Sequence, residues 1–132
     1  MNRWFADTHY FFALLNKQDL SHPRAAECSK AAGQLVTTEW VLTELADGLA
    51  LSPQRDIFVE FRKCLYSDKR VRVEPLSMEL QEAGVRLFAS RADKEWSLTD
   101  CISFEVMQRE GLSEALTGDR HFEQAGFVAL LK

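Results

Sequence analysis

The chain has 132 residues, of which 46% are hydrophobic and 27% are charged, and its formal net charge at pH 7 is −4. This length suits one folded domain, residues 1–132, and the apolar content excludes a disordered chain. Taken alone, the negative net charge argues against a nucleic-acid partner, because proteins that bind nucleic acid usually carry an excess of basic residues. If divalent metal held four of the 20 acids, however, the other 16 would balance the 16 Lys and Arg residues.

Cysteine usage and the N-terminus both indicate a cytoplasmic protein with no membrane partner. The three cysteines lie far apart in the sequence and show no spacing suited to zinc, so reduced thiols are expected. Asp7 interrupts any apolar core of a leader peptide, and no apolar run approaches the ~18 residues of a membrane span.

Short apolar runs that predict strands alternate with segments of helical periodicity. A stripe at Ile57, Phe58, Phe61 and Leu65 marks the fourth helix, and one at Leu80, Ala83, Leu87 and Phe88 marks the fifth. In chain order we predict strand 4–6, helices 8–15 and 22–32, strand 35–38, helices 39–50 and 55–66, strand 71–75, the helix at Leu80–Phe88, a helix beyond Asp100, strand 115–117 and strand 127–130. The alternation predicts an α/β fold with a parallel sheet covered by helices on both faces.

Two aspartates follow directly after predicted strands. Asp7 comes after the first strand and Asp119 after the fourth. Taken singly, each is better explained as a helix N-cap, whose carboxylate accepts hydrogen bonds from free backbone N–H groups. In open parallel sheets, however, ligands bind beyond the carboxyl ends of the strands, at the point where the strand order reverses.

Two further acids lie near helix starts. On a helix, Glu44 shares a side with Trp40 and Val41, where an ionised carboxylate is costly unless a cation or several donors meet it. The alternative is that this edge of the helix is exposed. Asp100 follows Ser97 by three positions, which resembles a capping box as much as it suggests a site.

These four acids could converge at one end of the sheet if the first and fourth strands are neighbours. Clustered carboxylates repel one another and partly protonate unless a cation compensates them. A hard divalent cation with oxygen ligands, Mg²⁺ or Mn²⁺, suits such a set better than zinc, which more often recruits His or Cys.

The acids and their neighbours resemble the PIN-domain family, most closely its VapC-like toxin ribonucleases. The resemblance lies in the dipeptide Asp7-Thr8 and in the segments Thr38–Leu45 (TEWVLTEL), Ser97–Phe104 (SLTDCISF) and Ala115–Phe122 (ALTGDRHF). The last two segments are the specific ones. Residues 50–92 carry little of the family pattern.

The resemblance implies a three-layer α/β/α fold with a five-stranded parallel sheet in the order 3-2-1-4-5. It implies an endoribonuclease that hydrolyses RNA phosphodiester bonds with Mg²⁺ or Mn²⁺ and leaves 5′-phosphate and 3′-hydroxyl ends. It also implies the toxin of a type II toxin–antitoxin pair, with RNA as substrate, a small antitoxin as partner and a homodimer as the assembly.

By the same resemblance, the catalytic and metal-binding acids are Asp7, Glu44, Asp100 and Asp119. Thr8 and Thr117 are expected to orient the metal ligands or a water molecule by donating hydrogen bonds to them. Arg120, His121 and Lys94 are candidates for contact with the RNA backbone.

Three alternative functions compete with this hypothesis. A non-catalytic PIN-like module that binds RNA or protein remains open. A haloacid-dehalogenase-like phosphatase would have an acid where His9 stands, and a response-regulator receiver would have an Asp after the third strand, where Glu74-Pro75-Leu76 stands. Both of these are therefore disfavoured.

Overall fold

The computed structural model describes all 132 residues and contains five strands and seven helices. Their bounds are β1 Arg3–Ala6, α1 Thr8–Leu15, α2 His22–Ala31, β2 Gln34–Thr38, α3 Glu39–Gly48, α4 Gln54–Ser67, β3 Val71–Glu74, α5 Met78–Ser90, α6 Leu98–Glu110, β4 Glu114–Leu116, α7 Arg120–Gln124 and β5 Val128–Ala129. No helix combines the length and the apolar character needed to cross a bilayer.

All five strands are parallel, and their order β3-β2-β1-β4-β5 confirms the prediction. Phe5 in β1 is in register with Val36 on one side and with Ala115 on the other. The adjacency continues past the strand ends, where the backbone N–H of Asp7 donates to the carbonyl of Leu116 at 3.3 Å. The strand order therefore reverses beside β1, and the residues after β1 and β4 lie side by side.

The central strands are apolar and covered on both faces. Phe5, Ala6, Val36 and Ala115 are fully buried, as expected for strands of a parallel sheet between two helical layers. The ring of Phe122 in α7 packs on Phe5, with ring centroids 6.3 Å apart. The first residues of α7 are thereby held against the end of the sheet.

The predicted apolar stripe of α4 packs against the core at Phe58, Phe61 and Leu65 but not at Ile57. Only Leu65 is buried, and Ile57 is 49% exposed, while Phe61 packs against the ring of Phe11 at 5.5 Å. Helix α4 packs beside β3, an edge strand of the sheet. Periodicity located the helix but did not show how much of its apolar face would be covered.

The stripe of α5 follows the same pattern. Leu80 and Ala83 are buried as predicted, whereas Phe88 is half exposed near the C-terminal end of the helix.

Candidate metal centre

A polar pocket of about 470 Å³ lies at the carboxyl end of the sheet, beside the reversal of strand order. Its only apolar lining residue is Phe12. The polar side chains that line it are Asp7, Thr8, His9, Glu44, Glu95, Ser97, Asp100, Asp119 and His121. The four acids that the sequence suggested, which belong to four different segments, thus line one pocket.

Asp7 lies directly after β1 and is 6% exposed. Its side chain forms no capping hydrogen bond with α1; instead, Oδ2 accepts a hydrogen bond from the Thr117 hydroxyl at 2.9 Å. Burial raises the pKa of Asp7 to about 7, although the Thr117 hydroxyl opposes the rise and the carboxylates of Asp100 and Glu44 add to it. The N-cap explanation therefore does not account for this carboxylate.

Asp100 lies in the first turn of α6 and combines two roles. It forms a complete capping box with Ser97, since its backbone N–H donates to Ser97 Oγ at 3.0 Å and its Oδ2 accepts from the Ser97 N–H at 3.2 Å. Nδ1 of His121 lies 3.1 Å from the same Oδ2. Burial raises the pKa of Asp100 despite these hydrogen bonds, and the nearby charge of Asp119 contributes to the rise.

Asp119 caps α7, accepting a hydrogen bond from the His121 backbone N–H at 2.9 Å. Its own backbone N–H donates to Thr117 Oγ1 at 3.1 Å. The Thr117 hydroxyl thus contacts the segments that carry Asp7 and Asp119. One ligand atom each from Asp100, Asp119 and His121 lies within 4.8 Å of the others, which is close enough for a shared cation.

Glu44 lines the pocket, but not from the apolar side of a helix that the sequence suggested. The residue is exposed on α3, so the alternative of an exposed helix edge is the correct one, and no buried apolar face holds this carboxylate. Its Oε1 accepts a hydrogen bond from the buried Thr8 hydroxyl at 2.5 Å. Thr8 therefore ties the rim of the pocket to the start of α1.

A model of the PIN-domain family matches residues 5–128. The chain belongs to the PIN-domain family. It is 30% identical over 125 residues to the 23S rRNA-specific endonuclease VapC20 of Mycobacterium tuberculosis, in the strains CDC 1551 and H37Rv, covering 94% of this chain and 95% of that protein.

Solved structures agree with this assignment. The crystal structure of Mycobacterium tuberculosis VapC20, described as a sarcin-ricin loop cleaving toxin, superposes with a TM-score of 0.85 at 27% identity, covering 96% of this chain and 97% of that one. VapBC2 from Rickettsia felis, bound to a promoter DNA fragment, has a TM-score of 0.67 at 14% identity, with 97% of each chain covered. FitAcB from Neisseria gonorrhoeae has a TM-score of 0.64 at 18% identity, covering 95% and 94%. The last two likenesses concern the fold alone.

The candidates for RNA contact occupy three different environments in this PIN domain. Arg120 is exposed at the start of α7. Lys94 is half-buried and does not line the acidic pocket. The ring of His121 lies against the carboxylates of Asp100 and Asp119.

His9 also lines the pocket, which the sequence pattern did not predict. Its Nδ1 accepts a hydrogen bond from the Gly118 N–H at 2.6 Å, so a neutral ring carries its proton on Nε2. The imidazole lies where a side chain at position 118 would begin, because a Cβ on Gly118 would overlap His9 Cε1. The only signal in the sequence was a histidine two residues after Asp7, which is weak evidence by itself.

The donor set suits a hard divalent cation. Carboxylate oxygens predominate, and none of the four acids forms an ion pair with Lys or Arg. Acids elsewhere in this PIN domain do form such pairs, as Glu39 does with Arg62 and Glu79 with Arg109. An acidic cluster with a buried Asp and no Lys or Arg partner has the electrostatics that Mg²⁺ or Mn²⁺ would balance.

Proposed function

We propose that this protein is a metal-dependent endoribonuclease in which Asp7, Glu44, Asp100 and Asp119 are the catalytic acids and hold Mg²⁺ or Mn²⁺. One observation carries the proposal: five carboxylates, those of these four acids and of Glu95, line one pocket, and no Lys or Arg of the chain pairs with them. Family membership and the likeness to an RNA-cleaving relative support it.

The reaction would be hydrolysis of a phosphodiester. Water attacks phosphorus in line, and the bond from phosphorus to the 3′-oxygen breaks, leaving a 5′-phosphate and a 3′-hydroxyl. Bound Mg²⁺ or Mn²⁺ supplies positive charge that acidifies a water molecule and offsets the charge developing on the phosphoryl oxygens. Thr117 and Thr8 orient Asp7 and Glu44 through their hydroxyl hydrogen bonds, so the carboxylates are positioned before substrate arrives.

The biological role that fits this activity is the toxin of a type II toxin–antitoxin pair, acting on cytoplasmic RNA. The similarity to VapC20 makes 23S rRNA the first substrate to test. The proposed antitoxin is a small protein that places a basic side chain in the acidic pocket, where five carboxylates without a Lys or Arg partner would attract it. A homodimer is the proposed assembly.

The test is cleavage of 23S rRNA by the purified protein with Mn²⁺, with Mg²⁺ and with EDTA. We expect cleavage only with metal, and a loss of at least about 100-fold in Asp7→Asn and Asp100→Asn, since each removes a charge that positions the cation. Asp56→Asn is the matched control, because Asp56 is exposed in the first turn of α4, outside the pocket. It should cleave as the wild type does.

Each contrary result has a defined meaning. Cleavage that persists in EDTA, or in both pocket variants, would assign the activity to a contaminant or another site. Failure to cut any RNA, together with no metal-induced rise in melting temperature, would favour a PIN-like module that binds RNA or protein without cutting it.

A further inference from the structure

A second cavity, of about 180 Å³, lies between the C-terminal end of α5, the middle of α6 and the residues after α7. It is separate from the acidic pocket and much smaller than a pocket for a drug-sized ligand. Its lining includes Arg91, Trp96, Phe104, Gln108, Gln124 and Phe127.

Three segments carry residues of both sites. Trp96 lines the small cavity, while its neighbours Glu95 and Ser97 line the acidic pocket. On α6, Phe104 follows Asp100 by four residues, and on α7, Gln124 follows His121 by three. Residues at these spacings share a helix face one turn apart, so the cavity lies about one helical turn beyond the acids.

The aromatic part of the lining is rigid. The rings of Trp96 and Phe104 meet edge to face at 5.0 Å, and the rings of Phe104 and Phe127 lie 5.7 Å apart. Trp96 and Phe104 are almost completely buried, whereas Phe127 is half-buried. The cavity thus has a fixed aromatic floor and a ring at its edge.

The polar part of the lining surrounds this floor. The guanidinium of Arg91 lies 4.9 Å above the Trp96 ring, and two hydrogen bonds of 3.0 Å to Asp93 fix its plane. Gln124 accepts a hydrogen bond from the Trp96 indole at 3.0 Å, which leaves its NH₂ group as a donor. The amide of the exposed Gln108 adds both a donor and an acceptor.

Aromatic rings, a planar cation and amide groups are the features that bind a splayed-out base in single-stranded RNA: bases stack on rings or guanidinium planes and pair their edges with side chains. We propose that this cavity binds one unpaired base of the RNA substrate, close to the nucleotide whose phosphate is cut. The inference rests on the proposed ribonuclease function. The base would hold the strand across the acidic pocket and make cleavage selective at one position of the sequence.

Binding is measured without metal, so that the result does not depend on cleavage. The ¹⁵N-labelled protein in EDTA is titrated with each of the four nucleoside 5′-monophosphates, and with ribose 5-phosphate to control for sugar and phosphate contacts. We expect one nucleotide to shift the Trp96 indole signal and the Gln124 side-chain amide signals, while the indoles of Trp4 and Trp40 stay unchanged.

Variants locate the binding. Ala125→Leu places a larger side chain in the cavity and should weaken the nucleotide about ten-fold, the scale of one lost stacking contact. Ala31→Leu, at an exposed position of α2, is the matched control and should bind as the wild type does. Gln108→Leu removes the exposed amide without filling the core, and serves if Ala125→Leu does not fold.

The proposal is overturned if no nucleotide shifts these signals, if ribose 5-phosphate shifts them equally, or if the cavity variants bind like Ala31→Leu. A further experiment is cleavage of an RNA with a randomised loop, followed by sequencing of the cut ends. It distinguishes failure of the base site from failure of the ribonuclease proposal. Cleavage with no base preference would refute the base site alone. Base binding without any cleavage would refute the ribonuclease function alone.

Discussion

At the residue scale, the buried carboxylate of Asp7 makes the stability of the fold depend on pH. Its pKa lies near 7 rather than at its ordinary value of 3.8, so the folded protein binds a proton there that the unfolded chain releases. This contribution to stability is fully present below about pH 3.8 and is lost as the pH rises through about 7.

Asp7→Asn should therefore stabilise the metal-free protein, and more so at high pH. The shift corresponds to about 4 kcal/mol at full ionisation, so we expect a gain of roughly 2–4 kcal/mol at pH 8 and a smaller one at pH 5. Urea unfolding in EDTA at both pH values measures it. An Asn variant that is less stable than the wild type at pH 8 would contradict the electrostatic account.

The pair Gly118–His9 gives a second prediction at this scale. A methyl group at position 118 meets the imidazole of His9, so Gly118→Ala should cost about 1–3 kcal/mol of stability, the usual penalty of overpacking, and displace the ring from the pocket wall.

The double variant Gly118→Ala/His9→Ala is the control, because it removes the obstacle. The double variant should lose less stability than the sum of the losses in Gly118→Ala and His9→Ala. Urea unfolding of all four proteins, as a double-mutant cycle, measures this difference. Additive effects would show that the two residues are not coupled.

At the scale of elements, the capping box at the start of α6 joins helix stability to the site. Ser97 satisfies the backbone N–H of Asp100 and lines the acidic pocket, so this cap also positions a proposed catalytic carboxylate. The N-cap of α5 shares only the serine hydrogen bond: Ser77 Oγ accepts from the Leu80 N–H at 3.2 Å, and Ser77 lies outside the pocket.

These two serines make a matched comparison. Ser97→Ala and Ser77→Ala should each cost about 1 kcal/mol, the usual value of a lost N-cap. Only Ser97→Ala should also lower the rate of RNA cleavage, because it frees Asp100 to move. Equal cleavage rates in the two variants would mean that the cap serves the helix alone.

Prediction of the elements succeeded where the signal was local and failed where the position of neighbouring elements decided how much of a helix is covered. All five strands lie within one or two residues of their predicted bounds, because short apolar runs between breakers are a local signal. Helix α7 has five residues, too few to show a period. The exposure of Ile57 depended on the position of α4 beside an edge strand, which its own sequence does not encode.

At the scale of the whole molecule, the sheet order decides that the acids meet. Asp7 and Asp119 are more than a hundred residues apart in the chain, and the pairing of β1 with β4 brings their segments together. Binding of metal to this assembled site should therefore stabilise the entire fold, because the unfolded chain has no such site.

We expect Mg²⁺ or Mn²⁺ to raise the free energy of unfolding by about 2.7 kcal/mol at a concentration 100 times its Kd. Asp100→Asn should lose most of this gain, and the Asp56→Asn control should keep it. Thermal melts across a metal titration measure the effect. An equal rise in both variants would place the ion elsewhere.

The sequence by itself determined the alternation of strands and helices, the family pattern and the four acids as candidates, because these are local features of spacing and residue type. Only the tertiary structure decided that Glu44 is exposed yet tied to Thr8, that His121 contacts two of the acids, and that His9 rests on Gly118. Apart from the contact of His121 with Asp119, each of these contacts joins residues at least 21 positions apart in sequence. They depend on how the elements pack, and no local pattern encodes that packing.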